Sequence, residues 1–285
     1  MKVVVGIDWS EQAFGAAQQL LQLYQPAELT LVHAVDFGLF KYPLVAQAAN
    51  LQGYDEFRKA LSDAGHQAIA RTVETLSLAP ESITRVNEIG NPADIILRTA
   101  ERVGADLVVV GARGQGRIAE LFLGSVSHRI LLHATCPTLV VKGASTPIRR
   151  VLVAVEGHDD ARRITEWLLV HPFRNPVDVT ILSVVVPLAV AEPYTITGYQ
   201  TWMDTANAYA EDLVKKVGAD LMGSRYSIGT RVAVGDVASS VAEQAKQMDL
   251  VVVASHGRKG LERFLMGSTS HAIVHQVTCP VLVVR

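Results

Sequence analysis

Glycine and serine are spaced for anion binding at two places in this 285-residue chain. Gly111, Gly114 and Gly116 follow the apolar run Leu107 to Val110, and Gly124-Ser125-Val126-Ser127 opens an apolar-periodic stretch ten residues later. Gly257 lies in the matching loop near the C-terminus, and Gly267-Ser268-Thr269-Ser270 opens the stretch behind it. Glycine lets backbone N–H groups approach a phosphate with no Cβ in the way. The first N–H groups of a helix have no intrahelical partner and sit at the positive end of its dipole. Ser125 and Ser127 add hydroxyl donors, and Ser125 is placed to face a phosphate-bound Mg²⁺. Arg113 and Arg117 in the first loop, and Arg258, Lys259 and Arg263 in the second, add positive charge. The alternative is that these glycines only make tight turns. The pattern G-x4-G-K-[ST] is absent, so the loop is not that of a P-loop NTPase.

Asp8 closes the first apolar run, Lys2 to Ile7. Its carboxylate either accepts hydrogen bonds from a sugar hydroxyl or caps the helix that follows. The second half has Glu156 at this place, one methylene longer, and Ala254 where the first half has Gly111. A Cβ at 254 narrows the approach that Gly111 leaves open in the first half. Nucleotide binding in the second half, a weaker or altered site, and a purely structural domain all stay open.

Other chemistry is thin. His271 and His275 are four apart on an expected helix, whereas His128 and His133 are five apart, which spoils a shared face. No Cys/His/carboxylate cluster accompanies them, so they read as surface histidines, and no metal site is expected from protein side chains alone. Cys136 and Cys279 occupy matching places in the two halves. A disulfide between them is one reading; small buried hydrophobes in a reducing cytoplasm is the one adopted. No Ser-His-Asp or Cys-His grouping and no paired carboxylates stand out, so no catalytic residue is assigned.

Repetition organises the elements that must hold these residues. Asp106 to Val141 returns as Asp249 to Val284, so the chain is one unit written twice. Domains are expected over 1–143 and 148–285, with a linker over 142–150 that overlaps their edges. In the first half, β-branched runs at Lys2–Ile7, Leu29–Val35, Ile83–Ile89, Leu107–Val110 and Pro137–Val141 read as strands. Ser10 is placed to cap a helix over Ala13 to Tyr24, and Pro92 starts another. A helix is expected over about Ser125 to His133. The second half repeats the order, with helices over Ala161–Val170 and Trp202–Val217 and strands at Val151–Val155, Val179–Val185 and Gly229–Val234. Strands without polar alternation, separated by helices, predict an α/β fold: a mainly parallel sheet covered on both faces. Right-handed crossovers make it doubly wound. Ligands of such sheets bind beyond the C-terminal strand ends at the switch point, here between the first and fourth strands. Asp8 and Gly111 converge there.

Composition excludes several classes. Charged residues make up 19% of the chain and the formal net charge is −2, with no basic stripe, so nucleic acid is not an expected partner. The first residues read as a strand and not a signal peptide. The longest apolar run, Val177 to Ala191, is broken by Asp178, Ser183 and Pro187, so no membrane span is expected. The expected location is the cytoplasm.

The spacing Gly111-x2-Gly114-x9-Gly124-Ser125 resembles the nucleotide loop of the universal stress proteins. The strand-ending Asp8, the His33-Ala34-Val35-Asp36 segment, the turn Gly90-Asn91-Pro92-Ala93 and the terminal C-P-x-L-V-V strand are similar too. The likeness covers nearly the whole chain as two tandem copies of the ATP-binding branch. It implies two Rossmann-like domains with strand order 3-2-1-4-5, and ATP, AMP or ADP as ligand, with Mg²⁺ a candidate companion. It implies adenine near Ile7, Asp8 and Ala34, ribose by Val110 and Gly111, and phosphates on the loop and on Gly124 to Ser127. Glu156, Val184, Ala254, Gly257 and Gly267 to Ser270 are the matching positions in the second half. Single-domain relatives are thought to dimerise through their terminal strands, so the resemblance further implies an intrachain pseudo-dimer. A homodimer of whole chains is left open. The function expected is nucleotide-dependent regulation in stress; a scaffolding module and a slow ATPase are the alternatives.

Overall fold

The computed structural model describes residues 1–36, 53–76, 83–112, 123–187, 198–223, 225–255 and 266–285. The chain divides into two compact units, one over Met1–Leu21 and Gln25–Ser145, the other over Gln22–Tyr24 and Thr146–Arg285.

Unit 1 alternates strand and helix: β1 (Lys2–Ile7), α1 (Glu11–Leu23), β2 (Glu28–Val35), α2 (Tyr54–Thr75), β3 (Ile83–Ile89), α3 (Pro92–Val103), β4 (Leu107–Gly111), α4 (Ser125–His133) and β5 (Thr138–Val141). Every described pairing is parallel, in the order β3-β2-β1-β4-β5. Continuous β-branched runs fill the middle of this sheet: Val3 to Val5 and Leu107 to Val109 are at most 1% exposed. Burial on both faces explains why these strands lack polar alternation. At the edge, β3 reads Ile-Thr-Arg-Val-Asn-Glu-Ile and is largely solvent-facing. The polar side chains protect an open strand edge from unwanted pairing.

Unit 2 repeats the order with β6 (Arg150–Ala154), α5 (His158–Val170), β7 (Val177–Val185), α6 (Tyr199–Asp220), β8 (Tyr226–Val234), α7 (Val237–Ala245), β9 (Leu250–Ala254), α8 (Ser268–Gln276) and β10 (Val281–Val284). Its order is β10-β9-β6-β7-β8, the same topology read from the other end. Both units are therefore Rossmann-like doubly wound domains. In unit 1, α2 packs on β2 and β3, while α3 packs on β1, β2 and α4. The helices begin earlier than apolar spacing indicates: α5 starts at His158 and α6 at Tyr199, because exposed first turns carry polar residues.

Local signals set the helix starts that face the crevice. The amide of Ala13 donates to Ser10 Oγ at 3.1 Å, so Ser10 caps α1. Asn91 accepts from the amide of Asp94 at 3.2 Å with Pro92 in the first turn, and Asp236 accepts from the amide of Ser239 at 2.9 Å. The glycines before them, Gly90 and Gly235, have φ of 147° and 150°, a region costly for any residue with a Cβ.

Two aspartates tie strands together at the opposite end. Asp106 accepts from the amide of Lys2 at 2.7 Å. Asp249 accepts from the amides of Arg149 and Arg150 at 2.9 and 2.8 Å and from the Arg150 guanidinium at 3.2 Å. Burial, the largest single influence, pushes the Asp249 carboxyl up; the two amides and Arg150 together hold it below the usual carboxylate range. A carboxyl lowered on folding contributes stability above its unfolded pKa of about 3.9 and loses it as pH falls through the folded value. Asp249→Asn is therefore expected to cost about 1–2 kcal/mol at pH 7. Urea unfolding at pH 7 and again below pH 3 should show the gap between variant and parent closing in acid.

Candidate functional site

The crevice of unit 1 is assembled from the ends of β1 and β4, which pair side by side from Val3↔Leu107 to Val5↔Val109. Asp8 follows β1 and is half-buried. Its Oδ1 accepts from the Ser10 amide at 2.8 Å and from the Ser10 hydroxyl at 2.5 Å. Asp8 thus orients the residue that caps α1, and the capping alternative is realised one step removed. Ile7 and Val110 are buried at 5% and 4%, and Ala34 is the one interior position of β2 that stays half-open. Val184, its counterpart on β7, is half-open as well.

Gly111 has a reason that its sequence does not disclose. A Cβ there would lie 2.9 Å from the Gln12 carbonyl carbon, 3.0 Å from its oxygen and 3.1 Å from the Ala13 nitrogen. The missing side chain lets the first turn of α1 approach β4. The matching position in unit 2 holds Ala254, buried at 5%.

Helix α4 begins at Ser125 with Gly124 as its N-cap, at φ −67° and ψ 158°, and among the described residues no side chain caps it. Ser125 is exposed and Val126 half-buried. The amides of Ser125, Val126 and Ser127 come before the first i→i−4 bond, which His128 makes to Gly124 O at 2.9 Å. The helix start is held at the end of β4 through one carbonyl. Ala112 O accepts from the Gly124 amide at 2.7 Å and from the Ser127 hydroxyl at 2.7 Å. The reading of the Ser127 hydroxyl as a phosphate donor is corrected here: it lies within hydrogen-bond reach of two carbonyls, Ala112 O and, at 3.0 Å, Gly124 O, and the residue is 2% exposed.

Unit 2 repeats the device. Gly267 caps α8 in extended geometry without a side-chain bond, and its amide reaches Ser255 O at 2.7 Å. Ser268 is exposed, Thr269 half-buried, and Ser270 donates to Ala254 O at 2.7 Å, so it too is a strut and not a ligand donor. Arg113, Gly114, Gly116 and Arg117, and Gly257, Arg258, Lys259 and Arg263, lie outside the described residues.

The first loops of the two units differ. Glu156 is exposed, with no counterpart to the Asp8–Ser10 pairing. Asp160 takes over: it is 4% exposed and its oxygens accept from the Glu156 and Gly157 amides, both at 2.7 Å. Burial pushes its carboxyl above the usual range, and those amides oppose the shift. Sequence reasoning passed over Asp160, although an acid three residues after Gly157 is the placement from which a side chain reaches back to cap a helix. His271 and His275 are half-buried rather than surface-facing, with ring centroids 4.4 Å apart.

Comparison with known proteins accounts for this arrangement. The model of the universal stress protein family matches twice, over residues 1–142 and 147–285. A universal stress protein of Mycolicibacterium smegmatis is 28% identical over 301 residues, covering 99% of this chain and 96% of its own. One from Mycobacterium tuberculosis is 29% identical over 296 residues, with the same coverage. Among solved structures, a universal stress protein from Archaeoglobus fulgidus superposes over 100% of this chain and 98% of its own, with a TM-score of 0.66 at 17% identity. Two family matches on two doubly wound units, each with an uncapped helix start behind its fourth strand, make this chain a tandem member of the universal stress protein family.

Proposed function

We propose that the chain binds an adenine nucleotide in the unit 1 crevice and acts as a regulatory, nucleotide-responsive protein of the cytoplasmic stress response. The observation that carries this is the uncapped start of α4, pinned to the end of β4 by Ala112 O at the switch point of the sheet. Three amides there are arranged as an anion site with a dipole behind them. Each charge-assisted bond from such an amide to a phosphate oxygen is worth about 1.5–3 kcal/mol. Gly124 needs no special φ, so its contribution is the open approach that a Cβ would narrow. Arg113, Gly114 and Gly116 complete the phosphate side, with Mg²⁺ beside the phosphates at Ser125. Asp8, Ile7 and the half-open Ala34 face the base and sugar beside Val110 and Gly111.

Unit 2 keeps the phosphate half of this design in Gly257, Gly267, Ser268 and Thr269. Its nucleoside half is altered. Asp160 occupies the Glu156 and Gly157 amides from within, which favours a weaker or different ligand there.

Calorimetry of the full chain with ATP, ADP and AMP tests the proposal. Saturable binding and a ligand-dependent rise in Tm are expected; ligand at 100 times Kd adds about 2.7 kcal/mol to stability. No heat and no shift with any of the three at millimolar concentration would leave the scaffolding reading in its place.

A further inference from the structure

We infer that Arg129 on α4, paired with Asp94 on α3, is a further phosphate-binding residue of unit 1, an inference that rests on the nucleotide reading above. Arg129 follows Ser125 by four residues, so the two share one face of α4, and both are exposed. Helical side chains lean toward the helix N-terminus, which carries the Arg129 side chain over the turn that holds the amides of Ser125 to Ser127. Its partner fixes the same height: Nη2 of Arg129 lies 2.7 Å from Oδ1 of Asp94, which stands in the first turn of α3. A guanidinium carries five N–H donors in a planar fork that matches a phosphate, so this pairing does not use them up. A cation leaning over a helix start opposes the dipole there. Asp94 supplies the counter-charge, and a phosphate on the α4 amides would share that part. Stability does not account for the pair: its side chains are 47% and 48% exposed, and ion pairs so exposed contribute little.

Unit 2 lacks the device. Ala272 stands at the place of Arg129 and Ser239 at the place of Asp94. The cation is thus a property of unit 1. It also selects among ligands by charge: ATP carries more negative charge than AMP, so a cation beside the phosphates favours the triphosphate.

The test is calorimetric titration of the full chain with ATP and with AMP, in the parent, Arg129→Gln and Asp94→Asn. Both substitutions break the ion pair, but only the first removes the cation. Arg129→Gln is expected to weaken ATP binding roughly tenfold or more and AMP binding clearly less, whereas Asp94→Asn shifts ATP binding by no more than about threefold. Arg129→Lys, which keeps the charge without the fork, is expected to fall between parent and Arg129→Gln. Far-UV circular dichroism checks that the variants fold. ATP binding that is unchanged in Arg129→Gln, or weakened equally by Asp94→Asn, overturns the role of Arg129 and leaves nucleotide binding standing. A parent that binds neither nucleotide removes the nucleotide reading and this role with it.

Discussion

Gly65→Ala is expected to destabilise unit 1 by about 3 kcal/mol, while Gly15→Ala, the same change one helix earlier, stabilises it by about 0.5–1 kcal/mol. Both glycines lie inside helices, where glycine is ordinarily a weak point. Their surroundings separate them. A Cβ on Gly15 meets only the Gly143 carbonyl oxygen and the Ser145 nitrogen, each at 3.8 Å, which is ordinary contact. A Cβ on Gly65 would fall 2.4 Å from both Asn87 Oδ1 and His33 Nδ1. Those two atoms hydrogen-bond each other at 2.9 Å, and the Asn87 amide donates to Ser62 O on α2 at 2.8 Å. His33 is 8% exposed, so separating this pair leaves buried polar groups unsatisfied as well as overpacked. The same network sits directly before Ala34, so Gly65→Ala is also expected to disturb the nucleoside end of the crevice. Urea unfolding of the two variants beside the parent measures the contrast. Equal effects of the same sign would show that helix propensity alone governs both positions.

That contrast also marks how far the sequence can be read. Strands such as Val3 to Val5 and Leu107 to Val110 were legible because burial on both faces leaves an unbroken β-branched run. Ser10, Asn91 and Asp236 were legible because caps are set by the residues next to them. The duplication carried the topology, since two copies of one pattern constrain each other. What stayed hidden depends on contacts distant in the chain. Nothing near Gly65 announces His33 or Asn87, and nothing near Gly111 announces the backbone of Gln12. Ser127 and Ser270 look like ligand donors beside a glycine, yet their partners are carbonyls 15 and 16 residues upstream. Asp160 is a different miss. Its signal is local, but it competes with Glu156, which stands where the repeat places Asp8 and so draws the eye to the wrong acid.

Ser125→Asp is expected to weaken ATP binding by about 100-fold or more while leaving the fold slightly more stable. Ser125 is exposed at the first position of α4, and among the described residues no side chain caps the amides behind it. A carboxylate there interacts favourably with the helix dipole, worth about 0.3–1 kcal/mol. It also competes for the amides a phosphate would use and repels the phosphate itself. One unit charge about 4 Å away near a protein surface contributes roughly 4 kcal/mol of repulsion. Loss of binding with gain of stability cannot arise from unfolding, so the variant isolates the anion site from the scaffold. Ser268→Asp makes the same change at the start of α8, where the helix gains equally but Asp160 already closes the neighbouring loop. Calorimetry on both variants therefore distributes the nucleotide between the units. The expected result is that Ser125→Asp removes the tight site and Ser268→Asp leaves it in place. Binding that survives Ser125→Asp unchanged would place the phosphates away from α4 and remove the observation on which the nucleotide proposal stands.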